Sequence, residues 1–193
     1  MRFGFYTSIE VIFEAMFTTH DAVYKTYYQC PDNPSHRQIY SQSHSLYMPK
    51  GRSPFKSIAE WMENNSQQGT NRCEMCHKPV DINISFVVPP PLVILEFSGS
   101  EIDIDDGFEV VHLGQSHKYT LAGVVYYKDA DHHFVSNIVT HDKLLWSYDG
   151  MRNSGRMSCL GPLATHQDSP VALCRLGGGS ASAAFYVSNR VTV

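Results

Sequence analysis

The chain has 193 residues, of which 42% are apolar, 12% aromatic and 18% charged, with a formal net charge of −4. This supplies enough apolar material for a buried core, and it has too many aromatics and too few charges for a disordered chain. The acidic balance disfavours a nucleic-acid binder that works by neutralising phosphates, and no apolar run approaches the ~18 residues that a membrane span needs.

The first residues, Met1-Arg2-Phe3-Gly4-Phe5, have no apolar stretch or small-residue cleavage site of a secretory signal. The five cysteines are odd in number and unevenly spaced. Both features predict a reduced, intracellular protein, cytoplasmic or nuclear, with a metal site rather than a disulfide framework.

Residues 7–17 read as a helix, because Ile9, Ile12, Phe13, Met16 and Phe17 recur at helical spacing and Thr7 and Glu10 stand at capping-box distance. Residues 22–29 and 37–48 predict two strands around a loop with Pro31, Asn33 and Pro34. A second helix is expected over 54–64, capped by Ser53 and opened by Pro54, with Phe55, Ile58, Trp61 and Met62 on one face. Strands follow. Val80, Ile82, Ile84, Phe86 and Val88 alternate with more polar neighbours, Pro89-Pro90-Pro91 ends that run, and Leu92–Phe97 is a short buried stretch. Further strands are expected at 108–112, 119–127, 133–140, 144–149 and 183–188. The acidic stretch 101–106 reads as a loop, and Gly177-Gly178-Gly179 as a flexible connector within a Gly/Ser/Pro-rich 150–182. The fold class is α+β, with helices early and a mostly antiparallel sheet late.

Two constellations carry chemistry. Cys73-Glu74-Met75-Cys76 is a C-x2-C knuckle, which sets two thiolates on one side of a tight turn as tetrahedral zinc requires. Cys30 and His36 offer the remaining ligands of a single structural Cys3His zinc site that clips distant segments together; His77, His20 and His44 are the alternatives to His36. The second constellation is a hairpin. Residues 131–140 run into His141-Asp142-Lys143 and return as 144–149. A turn centred at residue 141 places His133 opposite Asp149, where a carboxylate would orient an imidazole as in a nucleophile–His–Asp triad.

Taken in order, these pieces resemble the later two-thirds of a ubiquitin-specific protease (USP) domain. The matching segments are Cys73–Cys76, Pro91–Phe97, Tyr119–Tyr126, His133-Phe134-Val135-Ser136, Trp146–Met151 and the closing run Ala183–Val187. The pattern is most like divergent USP-like proteins of basidiomycete fungi. The resemblance implies one papain-like, USP-like domain over 1–193, with a zinc-clipped finger part at about 22–80 and a sheet bearing the His/Asp hairpin at about 80–190. It implies that His133 and Asp149 are the catalytic His and acid, that Cys30, His36, Cys73 and Cys76 are zinc ligands, and that ubiquitin or a ubiquitin-like protein is the partner. No nucleic-acid or membrane partner is expected.

The chain departs from the family where its nucleophile belongs. No cysteine precedes Cys30, His132 replaces the usual glycine before the His, and Gly150 stands where a second acid is common. The expected function is therefore a ubiquitin-binding pseudo-peptidase, or a truncated deubiquitinase whose cysteine box lies upstream. Two other readings stand beside it. One is an active peptidase using Cys174 with His133 and Asp149, in the His, Asp, Gln167, Cys order similar to the SUMO-protease family. The other is a zinc-stabilised interaction module without a ubiquitin link, whose contact surface includes exposed Tyr27, Tyr28 and Tyr40.

Overall fold

A computed structural model describes residues 24–43, 46–48, 51–64, 66–97, 100–166 and 173–189. The helix expected at 7–17 lies outside the described residues. Strands β1 (Tyr24–Cys30) and β2 (Asn33–Ser43) lead to β3 (Leu46–Met48), β4 (Gly51–Ser57) and the helix α1 (Ile58–Asn64). Then come β5 (Ser66–Arg72), β6 (Pro79–Phe86), β7 (Leu92–Phe97), β8 (Ser100–Asp103), β9 (Gly107–His112) and β10 (Gln115–Lys128). The chain closes with β11 (His133–Val139), β12 (Leu144–Tyr148), β13 (Ser158–Pro162), β14 (Arg175–Leu176) and β15 (Gly179–Ser188). Described residues are thus mostly β, with α1 as their one α-helix. It is not long and apolar enough to cross a membrane.

Three sheets result. A four-stranded sheet has the order β2-β1-β6-β5, and the large sheet runs β13-β12-β11-β10-β15-β7-β3, with β9 also on β10 and β14 on β15. Strands β4 and β8 pair in parallel. The main core lies on one face of the large sheet. Val93, Leu95, Leu121, Val124, Tyr126, Val135, Leu145 and Tyr186 meet Ile58, Trp61 and Met62 of α1 there, together with Ile102, Ile104 and Phe108. Each such side chain contributes about 1.5–3 kcal/mol by leaving water. The expected strands 119–127 and 133–140 show one buried face: β10 buries every second residue from His117 to Leu121, and β11 buries Val135, Asn137 and Val139.

Several expectations need correction. The helix begins at Ile58, not at 54, because Ser57 caps it one turn later. Ser57 Oγ accepts from the Glu60 N–H at 3.3 Å, and Glu60 Oε2 accepts from the Lys56 N–H at 2.7 Å. Residues 51–57 instead form β4. The acidic stretch 101–106 is not a loop throughout: β8 occupies its start, Ile102 and Ile104 are buried, and Asp105 Oδ2 accepts from Ala59 N–H at the head of α1 (2.7 Å). Residues 37–48 are not one strand, since 46–48 join the large sheet beside β7 in parallel. Gly177 and Gly178, both at positive φ, form the tight turn of the β14–β15 hairpin rather than a slack connector. Tyr27 and Tyr28 are half-buried, and Tyr28 packs against the Cys30–Cys73–Val80 cluster.

Gly123 pairs with Ile138 across the β10–β11 ladder. A Cβ there would lie 2.8 Å from the Asn137 carbonyl oxygen, which is fixed by the ladder. Gly123→Ala is expected to destabilise the fold by about 1–3 kcal/mol in urea unfolding, without changing the strand content seen by circular dichroism.

Candidate metal centre and His–Asp pair

Cys30 ends β1, and His36 lies three positions beyond the start of β2 on the other side of a short turn. Cys73 and Cys76 occupy the turn between β5 and β6, which Cys73 N–H closes on the Lys78 carbonyl and His77 N–H on the Cys73 carbonyl, both at 2.8 Å. Because β1 pairs with β6, the two turns meet at one end of the four-stranded sheet. One donor atom from each of Cys30, His36, Cys73 and Cys76 lies within 4.8 Å of all the others. Cys30 Sγ and Cys76 Sγ are 3.3 Å apart, and Cys73 Sγ is 3.7 Å from His36 Nδ1.

Tetrahedral zinc with three thiolates and one imidazole sets its donor atoms about 3.5–3.8 Å apart, so this donor set fits one zinc ion. The surroundings fit as well. Asn33 lies 3.1 Å from His36 Nε2 and steadies the ring. The Cys76 N–H, aided by the Met75 N–H and the Cys76 and His36 side chains, holds the Cys73 thiol down at about 7 against a smaller effect of burial. The Lys78 N–H lowers the Cys76 thiol, but the Cys30 thiol, burial and Cys73 together carry it above its ordinary value. An exposed ion pair between Lys78 and Asp32 joins the two turns. His77, at positive φ, is exposed and lies outside the donor set, while His20 and His44 are not among the described residues.

The second constellation also comes together, by a different route from the one expected. The β11–β12 ladder pairs Ser136 with Tyr148 and Val139 with Leu145, so the hairpin is centred at residue 142. His133 is therefore not directly opposite Asp149. The slip moves the partner by two residues, which preserves the face, and Asp149 reaches His133 from the diagonal position. His133 Nε2 lies 3.3 Å from Asp149 Oδ1 and 3.4 Å from Oδ2. Met151 N–H donates to Oδ1 at 3.0 Å, Arg152 Nε lies 3.6 Å from Oδ2, and Lys128 Nζ lies 3.9 Å from it. Burial raises the Asp149 carboxyl, but the Met151 N–H, His133 and Lys128 outweigh it and hold the group below its ordinary value. Its contribution to stability is therefore present above the ordinary carboxylate pKa and is lost as pH falls through the lowered value. On the far side of the ring, His133 Nδ1 is buried and has no hydrogen-bond partner among the described residues.

Lys128 and Arg152 were not singled out from the sequence. Lys128 was within reach of the same reasoning, because it stands directly opposite His133 across the β10–β11 ladder. Cys174 is remote from this pair. Arg175 faces Ser180, Ser180 faces Tyr127, and Tyr127 faces Phe134. These three interstrand steps put residue 174 roughly 14 Å from residue 133. Burial, with the charge of Asp103, pushes the Cys174 thiol up to about 11, and the thiol donates to the Ile102 carbonyl.

No family model matches the chain, and no curated protein matches it in sequence. Solved structures match in fold. A chain of the yeast SAGA DUB module with a mutant Sgf73 superposes with a TM-score of 0.59 at 13% identity, over 88% of this chain and 41% of that one. The SAGA Ubp8/Sgf11/Sus1/Sgf73 DUB module bound to ubiquitin aldehyde gives 0.56 at 12% identity, with coverage of 88% and 41%. The module bound to monoubiquitin gives 0.56 at 13%, with the same coverage. At such identities the likeness is one of fold, the USP-type fold of these modules. The chain spans about two-fifths of the length of the chains it matches.

Two outcomes follow for the metal centre. Elemental analysis of the purified protein is expected to find one zinc per chain, and Cys30→Ser or a strong chelator to lower the thermal midpoint; a metal-free chain with an unchanged midpoint contradicts the ligand set. Protons compete with zinc for thiolates, and Cys73 sits near 7. Apparent zinc affinity in a chelator-dye competition should therefore fall steeply as pH drops from 7 to 5, never rise.

Proposed function

We propose that this chain is a ubiquitin- or ubiquitin-like-binding unit of USP type that carries the His–Asp half of a cysteine-peptidase site. The observation that carries the reading is the His133–Asp149 contact with a buried, unpartnered Nδ1 on the opposite edge of the ring. It is supported by the fold shared with DUB modules bound to ubiquitin aldehyde and to monoubiquitin.

Each residue has a role in this reading. Asp149, kept ionised, accepts from Nε2–H and so fixes the tautomer in which Nδ1 is free to take a proton. That free nitrogen is the atom a thiol would have to meet. None of the chain's five cysteines does so. Cys30, Cys73 and Cys76 belong to the metal cluster, Cys159 is exposed on β13, and Cys174 is three strands away and held neutral. An acyl-enzyme step needs a thiolate nucleophile, so by itself this chain binds the extended tail of its partner without cleaving it. Zinc at the Cys3His cluster would hold the two turns of the four-stranded sheet together, a structural role in which it touches no substrate.

The test is a binding titration with ubiquitin. Micromolar or tighter binding is expected, weakened at least tenfold when ubiquitin's C-terminal tail is removed, which corresponds to about 1.4 kcal/mol. A thiol-reactive ubiquitin probe is expected to label no cysteine. Labelling that disappears in Cys174→Ser would overturn the assignment.

A further inference from the structure

The turn between β9 and β10 exposes side chains that a hairpin normally avoids. His112 pairs with Gln115, leaving Leu113 and Gly114 as a two-residue turn with φ of +50° and +76°. Such turns favour Asn-Gly, because a branched apolar side chain at the first position crowds its own backbone. Leu113 is nevertheless there, 91% exposed, and Val111 beside it is 73% exposed. Neither supports the core.

Behind this knuckle lies a cleft of about 350 Å³ lined by Met62, Glu63, Glu109, Val110 and Val111. Met62 and Val110 are buried and form an apolar floor, whereas Glu63 and Glu109 are exposed at the rim. Lys118 stands 3.8 Å from Glu109 on the hairpin's own surface, and Ser116 donates to it. Apolar walls ending in carboxylates suit the methylene stem and cationic head of a lysine or arginine.

We propose that the Val111/Leu113 knuckle and this cleft dock the folded body of the ubiquitin-like partner, through a basic side chain set next to an apolar one. This rests on the function proposed above and adds a second contact to it. Charge complementarity selects the occupant: the rim is acidic and the chain as a whole carries −4. The spacing agrees. The 14 residues of β10 separate the knuckle from His133 by about 45 Å. A folded body roughly 30 Å across leaves about 15 Å, which roughly five residues of extended tail would cover.

The experiment is a ubiquitin titration of the full chain, followed by calorimetry, with the wild type, Leu113→Asn and the double variant Glu63→Gln/Glu109→Gln. Asn suits the turn, so Leu113→Asn is expected to keep or raise the thermal midpoint while weakening ubiquitin at least fivefold. The double variant is expected to weaken it similarly and to flatten its salt dependence. Variants that bind like the wild type would overturn the docking point and leave the tail-binding function standing. A wild type that does not bind ubiquitin would overturn both.

Discussion

Strand β10 is hydrogen-bonded along its 14 residues to β9, β15 and β11, and the register of those three ladders sets the positions of Leu113, Lys128, His133 and much of the core. At one end, Lys128 faces His133 and brings its ammonium to Asp149. At the other, the turn into β9 presents Leu113. Between them, Gly123 allows the β11 backbone to approach, and Tyr126 is wholly buried, its hydroxyl donating to the Leu173 carbonyl. A slip of one residue along this strand would turn Leu121 and Tyr119 to the outer face and carry Lys128 away from His133 and Asp149. The core and the cation beside the His–Asp pair therefore depend on the same strand, while the β11–β12 ladder brings His133 to Asp149.

The four-stranded sheet rests on a different source of stability. Near the two turns, its apolar cluster comprises Cys30, Cys73 and Val80, with Tyr28 and Cys76 packed against them. So small a cluster contributes only a few kcal/mol by burial, less than fixing the two turns would cost in chain entropy. Zinc on the four donors drawn from both turns would resolve that imbalance, since binding free energy at a structural zinc is folding free energy. The Lys78–Asp32 pair is exposed and adds little.

Much of this was legible in the sequence, for identifiable reasons. Two-residue alternation marked β6, whose Val80 is buried and whose Ile84 and Phe86 pack against the core. The C-x2-C spacing marked half of the metal cluster, and chain order suggested Cys30 and His36 as the rest. The His133–Asp149 pairing was anticipated with the wrong hairpin centre, yet the error was even, so the faces matched. Other features were hidden. Strand β5 has the polar sequence Ser66–Arg72 and is defined by its pairing with β6, which leaves no apolar pattern to read. The sequence offered Ser53 and Ser57 as caps of α1; Ser57 is the one that accepts from the Glu60 N–H, and Gly51, Arg52 and Ser57 pair with β8. The acidic stretch concealed Ile102 and Ile104, which alternate into the core from among carboxylates.

The central claim is that Asp149 presets His133 for a thiol, with Nε2 protonated and Nδ1 free. Long-range proton–nitrogen NMR of the His133 ring reads that tautomer directly at neutral pH. A dominant Nε2–H form is expected in the wild type and a mixture in Asp149→Ala. A dominant Nδ1–H form in the wild type, or a ring indifferent to loss of the carboxylate, would contradict it.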